Sequence, residues 1–305
     1  MKKSIFIVLG LIVFLSAVAY ELAVFDAETP EKGINGLIML IEFEDIDGIL
    51  HWEKELDKRD LTALVKVQGN VLEGYPEVFS RMADKGYEIA GGYDEAPFWD
   101  IPYEQQYQFM EEAKTFVEGI TGKKMRVFGS RYFAYDENTL KAADNLGVEY
   151  ILARGTAGEK AVVYSPEEYG VKIISVSNIP FEEMGSGSLC DYSLWARGAS
   201  AEDFDGVLQD CIAKSPDNMI VVSHAYLGGT RLIWWSAYEK ALDSGGVSWK
   251  GFGDWIENLV PLEMPNNEIP VNKEVKYELP TPQVPIEELE LIPESEEGIF
   301  YPGCY

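Results

Sequence analysis

Four stretches of this 305-residue chain carry side chains suited to chemistry. EFEDID, residues 42–47, crowds Glu42, Glu44, Asp45 and Asp47 behind an apolar run. GGYDEAPFW, residues 91–99, sets Asp94 and Glu95 beside Tyr93, Phe98 and Trp99. Ser130 and Arg131 precede Tyr132, and His224, one of two histidines, ends VVSHA. Carboxylates with one imidazole suit two chemistries. Asp45, with Asp94 or Glu95 and His224, would make an oxygen-rich site for a hard cation such as calcium or magnesium. Glu44 and Glu95 would serve as acid and base on a glycosidic bond. Each acid taken alone is equally consistent with a solvated loop. Tyr93, Trp99, Tyr132, Trp234 and Trp235 suit stacking on the apolar face of a sugar ring. Trp234 and Trp235 are expected as a groove wall, because neighbours on a helix cannot both face one core. His51 reads as a packing or surface residue.

These residues need a scaffold that brings strand ends together. GLIMLIEFE (36–44), LTALVKVQG (61–69), YEIAGG (87–92), MRVFGS (125–130), VEYILAR (148–154), VKIISVS (171–177) and NMIVVSHA (218–225) read as strands. Helical spacing marks 49–59, 76–86, 103–122, 136–147, 199–215 and about 233–243, with Pro76 opening one helix, Asp136 capping another and Gly147 stopping it. Strands alternating with helices predict an α/β fold, an irregular (β/α) barrel of about seven strands over residues 36–260. In such a barrel the site forms where the strands' C-terminal ends meet. Glu44, Asp45, Asp94, Glu95, Arg131 and His224 all fall there.

The acids outnumber the bases 52 to 25, a formal charge of -27. That argues against nucleic acid and anionic lipid as partners, since both need a basic footprint. Lys2 and Lys3, an apolar run to Val18 and the small-x-small Ala17-Val18-Ala19 predict a signal peptide over 1–19, or an uncleaved anchor as the one route to a membrane. The expected location is extracellular or at the cell surface. Residues 20–35 read as a linker, and 261–305 as a Pro/Glu-rich acidic tail whose final IFYPGCY can dock back. Cys190, Cys211 and Cys304 lack C-x-x-C spacing, which disfavours a thiolate metal site. A Cys190–Cys211 disulfide and two separate buried thiols both remain open.

The order of elements resembles the polysaccharide deacetylase family, that of the chitooligosaccharide deacetylases, over roughly residues 36–260. EFEDID stands where that family has T-F-D-D-G, and GYEIAGGYDEA where it has G-H-E-I-G-N-H-T-x-S-H. TGKKMRVFGSRYFAYDENTLKAADNLGVEYI (121–151) resembles its T-G-x-x-P-x-x-F-R-x-P-Y-G segment, and VVSHA its L-L-H box. The resemblance implies a metal-dependent carbohydrate N-deacetylase whose ion is held by an Asp and an H-x-x-x-H pair. Residue by residue it makes Asp45 the ligand Asp, Glu44 the base, His224 the general acid and Gly129 the place of an Arg, with Arg131 two residues on. The histidine pair falls on Gly92 and Ala96. The expected cofactor is therefore a divalent cation on oxygen donors, with zinc disfavoured, and the expected partner is an N-acetylated extracellular or cell-wall glycan. Two classes stay open: a hydrolase with a rebuilt site, and a glycan-binding or structural surface protein whose zinc-type deacetylation is weak or lost.

Overall fold

The computed structural model describes residues 33–181, 185–214, 217–264 and 284–293. The signal segment 1–19, most of the linker and the terminal IFYPGCY lie outside them. Among the described residues twelve strands are present: β1 (Ile34–Glu42), β2 (Leu64–Gln68), β3 (Glu88–Tyr93), β4 (Val127–Ser130), β5 (Tyr150–Ala153), β6 (Val162–Ser165), β7 (Lys172–Ser175), β8 (Asn178–Phe181), β9 (Gly185–Ser188), β10 (Asn218–His224), β11 (Val247–Trp249) and β12 (Leu262–Glu263). The seven strands expected from sequence are β1–β5, β7 and β10.

The main sheet runs β10-β1-β2-β3-β4-β5-β7-β6-β12, with β11 on β1; β8 and β9 form a separate ribbon. All pairs in the main sheet are parallel except β6–β7. The helices Asp47–Asp57, Pro76–Asp84, Tyr103–Thr121, Glu137–Leu146, Ala201–Ala213 and Leu232–Leu242 follow strands, as βαβ crossovers require. The expected α/β barrel of parallel strands is therefore the fold observed, as a sheet that curls without closing by strand pairing alone.

The seam between β7 and β10 is bridged by irregular backbone. Val222 N donates to Leu189 O at 2.9 Å, Leu189 N to Ser177 O at 3.0 Å, and Ala161 N to Asn218 O at 2.9 Å. A parallel bridge pairs Cys190 with Val222.

Alternation along the strands splits the core in two. Leu37, Met39, Ile41, Leu64, Ala90, Val127, Leu152, Ile174, Ile220 and Val222 fill the barrel interior. Ile38, Leu40, Val65, Val67, Ile89, Phe128 and Val221 face the helices. Helix Phe252–Glu257 closes the bottom with Phe252 and Trp255, whose Nε1 donates to Asn35 O at 3.3 Å.

Trp234 and Trp235 form no groove wall. Both are buried, at 1% and 4% exposure. Helix Leu232–Leu242 lies between two others, so neighbours about 100° apart find different partners. Trp234 packs on Phe204, and Trp235 on Trp52 and His51. His51 is the packing residue expected; burial pushes its imidazole down to about 4. Cys190 and Cys211 are both buried free thiols, which leaves the disulfide reading without support.

The acidic tail is not wholly without structure. Residues 284–293 dock on the loop before helix Leu232–Leu242. Leu232 N donates to Glu290 O at 3.0 Å, Ile292 N to Thr230 O at 2.8 Å, and Trp195 Nε1 to Val284 O at 3.1 Å.

Candidate functional site

The top layer of the barrel interior holds the residues that matter. Ile41 pairs with His224 across β1–β10 and with Lys66 across β1–β2. Interior residues alternate, so Phe43, Lys66, Gly92, Gly129 and His224 follow Ile41, Leu64, Ala90, Val127 and Val222 to the mouth.

Lys66 is the residue sequence reasoning passed over. Its side chain is 1% exposed, and its Nζ is ion-paired with Asp94. A Cβ built on Gly92 would stand 3.0 Å from Val67 O and 3.3 Å from Lys66 Cγ. A Cβ on Gly129 would stand 2.9 Å from a Leu152 methyl and 3.3 Å from Lys66 Cδ. The lysine stem thus runs across the two glycines that occupy the places of the family's first metal histidine and its arginine. VKV in a buried strand gave one hint: a long cation needs a partner there.

The metal implied by the resemblance does not fit these residues. Gly92 and Ala96 offer no side-chain donor. Asp94 is engaged by an ammonium, and a divalent ion beside Lys66 would face a like charge. Asp45 is exposed on the turn after β1, where its Oδ1 accepts from Asp47 N at 3.2 Å. Partial burial and Asp47 raise its carboxyl. Glu44 and Glu95 are exposed. Among the described residues the His, Cys, Asp and Glu side chains close enough to share an ion are Cys190, Asp191 and His224. Asp45, Asp94 and Glu95 are not part of that group.

His224 takes a different partner from the expected Asp45. Cys190 and Asp191 stand at the start of the short helix Asp191–Trp195, which the Leu189–Val222 seam holds against the end of β10. His224 Nδ1 is 3.3 Å from Cys190 Sγ and 3.7 Å from Asp191 Oδ1. Asp191 is fully buried. Its Oδ1 accepts from Tyr192 N at 2.5 Å and His224 N at 2.9 Å, and its Oδ2 from Ser223 Oγ at 2.8 Å. Three donors thus hold that buried carboxylate in place. Burial and the neighbouring Asp191 push the Cys190 thiol well up. No local pattern marks this trio, because 34 residues separate Cys190 from His224.

Aromatic rings surround the imidazole. Tyr192 lies 4.6 Å from it between centroids, Tyr226 5.8 Å and Phe43 6.1 Å. Tyr132 is 47% exposed and carries left-handed backbone, φ 59°. Arg131 and Arg154 stand over its ring at 5.0 and 5.7 Å. Arg131 Nη1 also donates to Glu95 O at 3.1 Å, tying two mouth loops together. Tyr93 is a packing residue rather than an open platform: its ring stacks on Phe109 at 4.3 Å and meets Phe98 at 5.6 Å. Trp99 is half-buried.

Glu42 stands below these rings. It is fully buried, and its Oε1 accepts from Phe43 N at 2.9 Å and Glu44 N at 2.8 Å. Its Oε2 has no partner among the described residues. Burial raises its carboxyl to about 7 against these bonds and a longer one from Asp45 N at 3.4 Å.

Residues 51–151 match the family model for polysaccharide deacetylase. No curated protein sequence is significantly similar to the chain. Among solved structures, a Mycobacterium smegmatis protein assigned as a polysaccharide deacetylase is similar, with 12% identity and a TM-score of 0.58, over 80% of this chain and 98% of that one. PuuE allantoinase is similar at 15% identity and TM-score 0.57, over 75% and 91%. The Bacillus cereus polysaccharide deacetylase gives 11% identity and TM-score 0.50, over 75% and 96%. At these identities the structures speak for the fold alone. The resemblance read from the motifs is borne out: the chain is homologous to polysaccharide deacetylases over residues 51–151 and shares their fold beyond them.

Proposed function

With a polysaccharide-deacetylase fold as the premise, we propose that this chain is an exported protein that binds an N-acetylated extracellular glycan at the barrel mouth. In this reading zinc-type deacetylation at the family's place is weak or lost. Phe43, Tyr192 and Tyr226 supply stacking faces around His224, exposed Tyr132 supplies another beside Arg131, and Arg131 supplies donors for sugar oxygens. The N-terminal apolar run supports export. The observation that carries the loss of zinc chemistry is Lys66, whose buried stem and ammonium take up the space and charge of the ion.

The loss is large in energetic terms. Bound zinc lowers the pKa of water from ~15.7 to ~7. A general base alone supplies only about 10²–10⁴-fold.

The experiment is titration of the purified chain with N-acetylglucosamine oligomers, followed by calorimetry. Binding that falls at least about tenfold in Tyr132→Ala or Tyr192→Ala, without acetate release in added zinc, is the expected result. Absence of binding to every N-acetylated oligomer would end the reading.

A second reading, a hydrolase with a rebuilt site, is favoured by one observation: the buried Asp191 carboxylate beside His224. Such a pair can hold an imidazole ready to give or take a proton at Nε2. Acetate release abolished in His224→Ala would select it.

A further inference from the structure

We infer that Cys190, Asp191 and His224 form a binding site for one zinc ion, on the β10 side of the mouth and apart from the family's metal place. Zinc bonds are about 2.3 Å to thiolate sulfur and about 2.0–2.2 Å to imidazole nitrogen or carboxylate oxygen. Tetrahedral angles then set the separation between ligands: about 3.6 Å where sulfur is one of the two, and about 3.4 Å between nitrogen and oxygen. Observed here are 3.3 Å from Cys190 Sγ to His224 Nδ1, 3.6 Å from Cys190 Sγ to Asp191 Oδ1, and 3.7 Å from Asp191 Oδ1 to His224 Nδ1. Each edge lies within about 0.3 Å of its tetrahedral value. Hydrogen bonds of the thiol account for the first two edges; the third, imidazole to carboxylate, is longer than a hydrogen bond and is the one a shared ion explains.

The surroundings are those of a supported site. Asp191 is held by two backbone N–H groups and by Ser223. Ser223 on Oδ2 is an outer-shell bond of the kind that orients metal ligands; the two backbone N–H groups lie on Oδ1 itself, so the ion takes the place of one of them. The donor set of thiolate, imidazole and carboxylate is borderline-soft, which selects zinc over calcium or magnesium. Binding replaces the thiol proton, which leaves to the buffer, and forms the Zn–S bond. Three protein donors leave the fourth position for water or for a ligand entering the mouth. The ion would also clamp the seam, since His224 ends β10 and Cys190 bridges to Val222.

The test uses the full chain, without a histidine tag, dialysed against one equivalent of zinc and then metal-free buffer. One zinc per chain is expected by elemental analysis. Cys190→Ser and His224→Gln are expected to lose it, while Asp45→Asn and Asp94→Asn keep it. Cobalt in place of zinc should give sulfur-to-metal charge-transfer absorption in the parent chain and none in Cys190→Ser. Circular dichroism checks that both variants fold. A chain that retains no zinc, a zinc lost in Asp45→Asn but kept in Cys190→Ser, or a cobalt spectrum without the sulfur band would each overturn the inference.

Discussion

Glu42 and Lys66 show how much one buried side chain can decide. Glu42 has a folded pKa of about 7 against 4.5 for the ordinary group. A raised carboxyl binds its proton more tightly in the folded state, so stability falls as pH rises from about 4.5 to about 7 and is lower by a constant amount above that. At 1.36 kcal/mol per unit the loss is on the order of 3 kcal/mol. Glu42→Gln is expected to remove this slope in urea melts run from pH 4.5 to 8. An unchanged slope would show that burial of Glu42 carries no such cost. His51 works in the opposite direction. Its pKa is depressed to about 4, so it destabilises the fold as pH falls from about 6.5 to about 4. Lys66 is coupled to Asp94. Removing one partner of a buried pair costs about 3–5 kcal/mol. Lys66→Met should therefore lower stability by that order, and the double variant with Asp94→Asn should recover part of it. Strictly additive losses would show that the pair is not coupled.

At the scale of elements, the strongest packing lies away from the mouth. Trp235→Ala removes a ring lodged between two helices and should cost about 3–5 kcal/mol in denaturant melts, while glycan affinity holds. A change in affinity beyond about twofold would mean that this helix sets the mouth after all. The turn after β4 behaves in the reverse sense. Tyr132 and Phe133 both have positive φ, which costs a non-glycine residue roughly 1–2 kcal/mol, and such strain gathers at functional sites. Tyr132→Asn tolerates that backbone, so stability should hold to within about 1 kcal/mol while glycan binding weakens.

The seven strands read from sequence were legible because each carries a short apolar run between helical stretches. The strands β11 and β12 were not, being three and two residues long, and β6 was not, because its four residues pair antiparallel with β7 outside the strand–helix alternation. Carboxylates after β1 and β3 were legible as mouth residues, since strand order alone puts them there. Their partners were not. Asp94 turns to Lys66, and His224 turns to Cys190 and Asp191 across a seam made by backbone bonds. Trp234 and Trp235 misled because a helix packed on two sides buries two stripes rather than one.

Across the whole molecule the charge of -27 governs the response to salt. Like charges repel in the compact state, and salt screens exposed pairs beyond about 10 Å at 0.1 M. Thermal melting should therefore rise as sodium chloride increases from about 0.01 to about 0.5 M. A flat response would mean that the exposed ion pairs lost to screening offset the repulsion. Residues 284–293 add an acidic strap held by backbone bonds to Thr230 and Leu232. Ending the chain after Met264 should lower the melting temperature by a few degrees and expose Trp195 to fluorescence quenchers. Unchanged quenching would show that the strap does not shield that ring.

The glycine at 92 has an evolutionary consequence. A histidine placed there alone crowds Val67 O and the Lys66 stem, 3.0 and 3.3 Å from its Cβ. It would arrive as crowding with no ion to coordinate, and selection would see only the cost. Shortening Lys66 first leaves Asp94 unpaired, so that path also begins downhill. Gaining the histidine pair thus requires at least two changes together, and the order of substitutions works as a ratchet. Laboratory evolution from this chain toward deacetylation is expected to recruit the opposite wall of the mouth before it rebuilds the histidine pair.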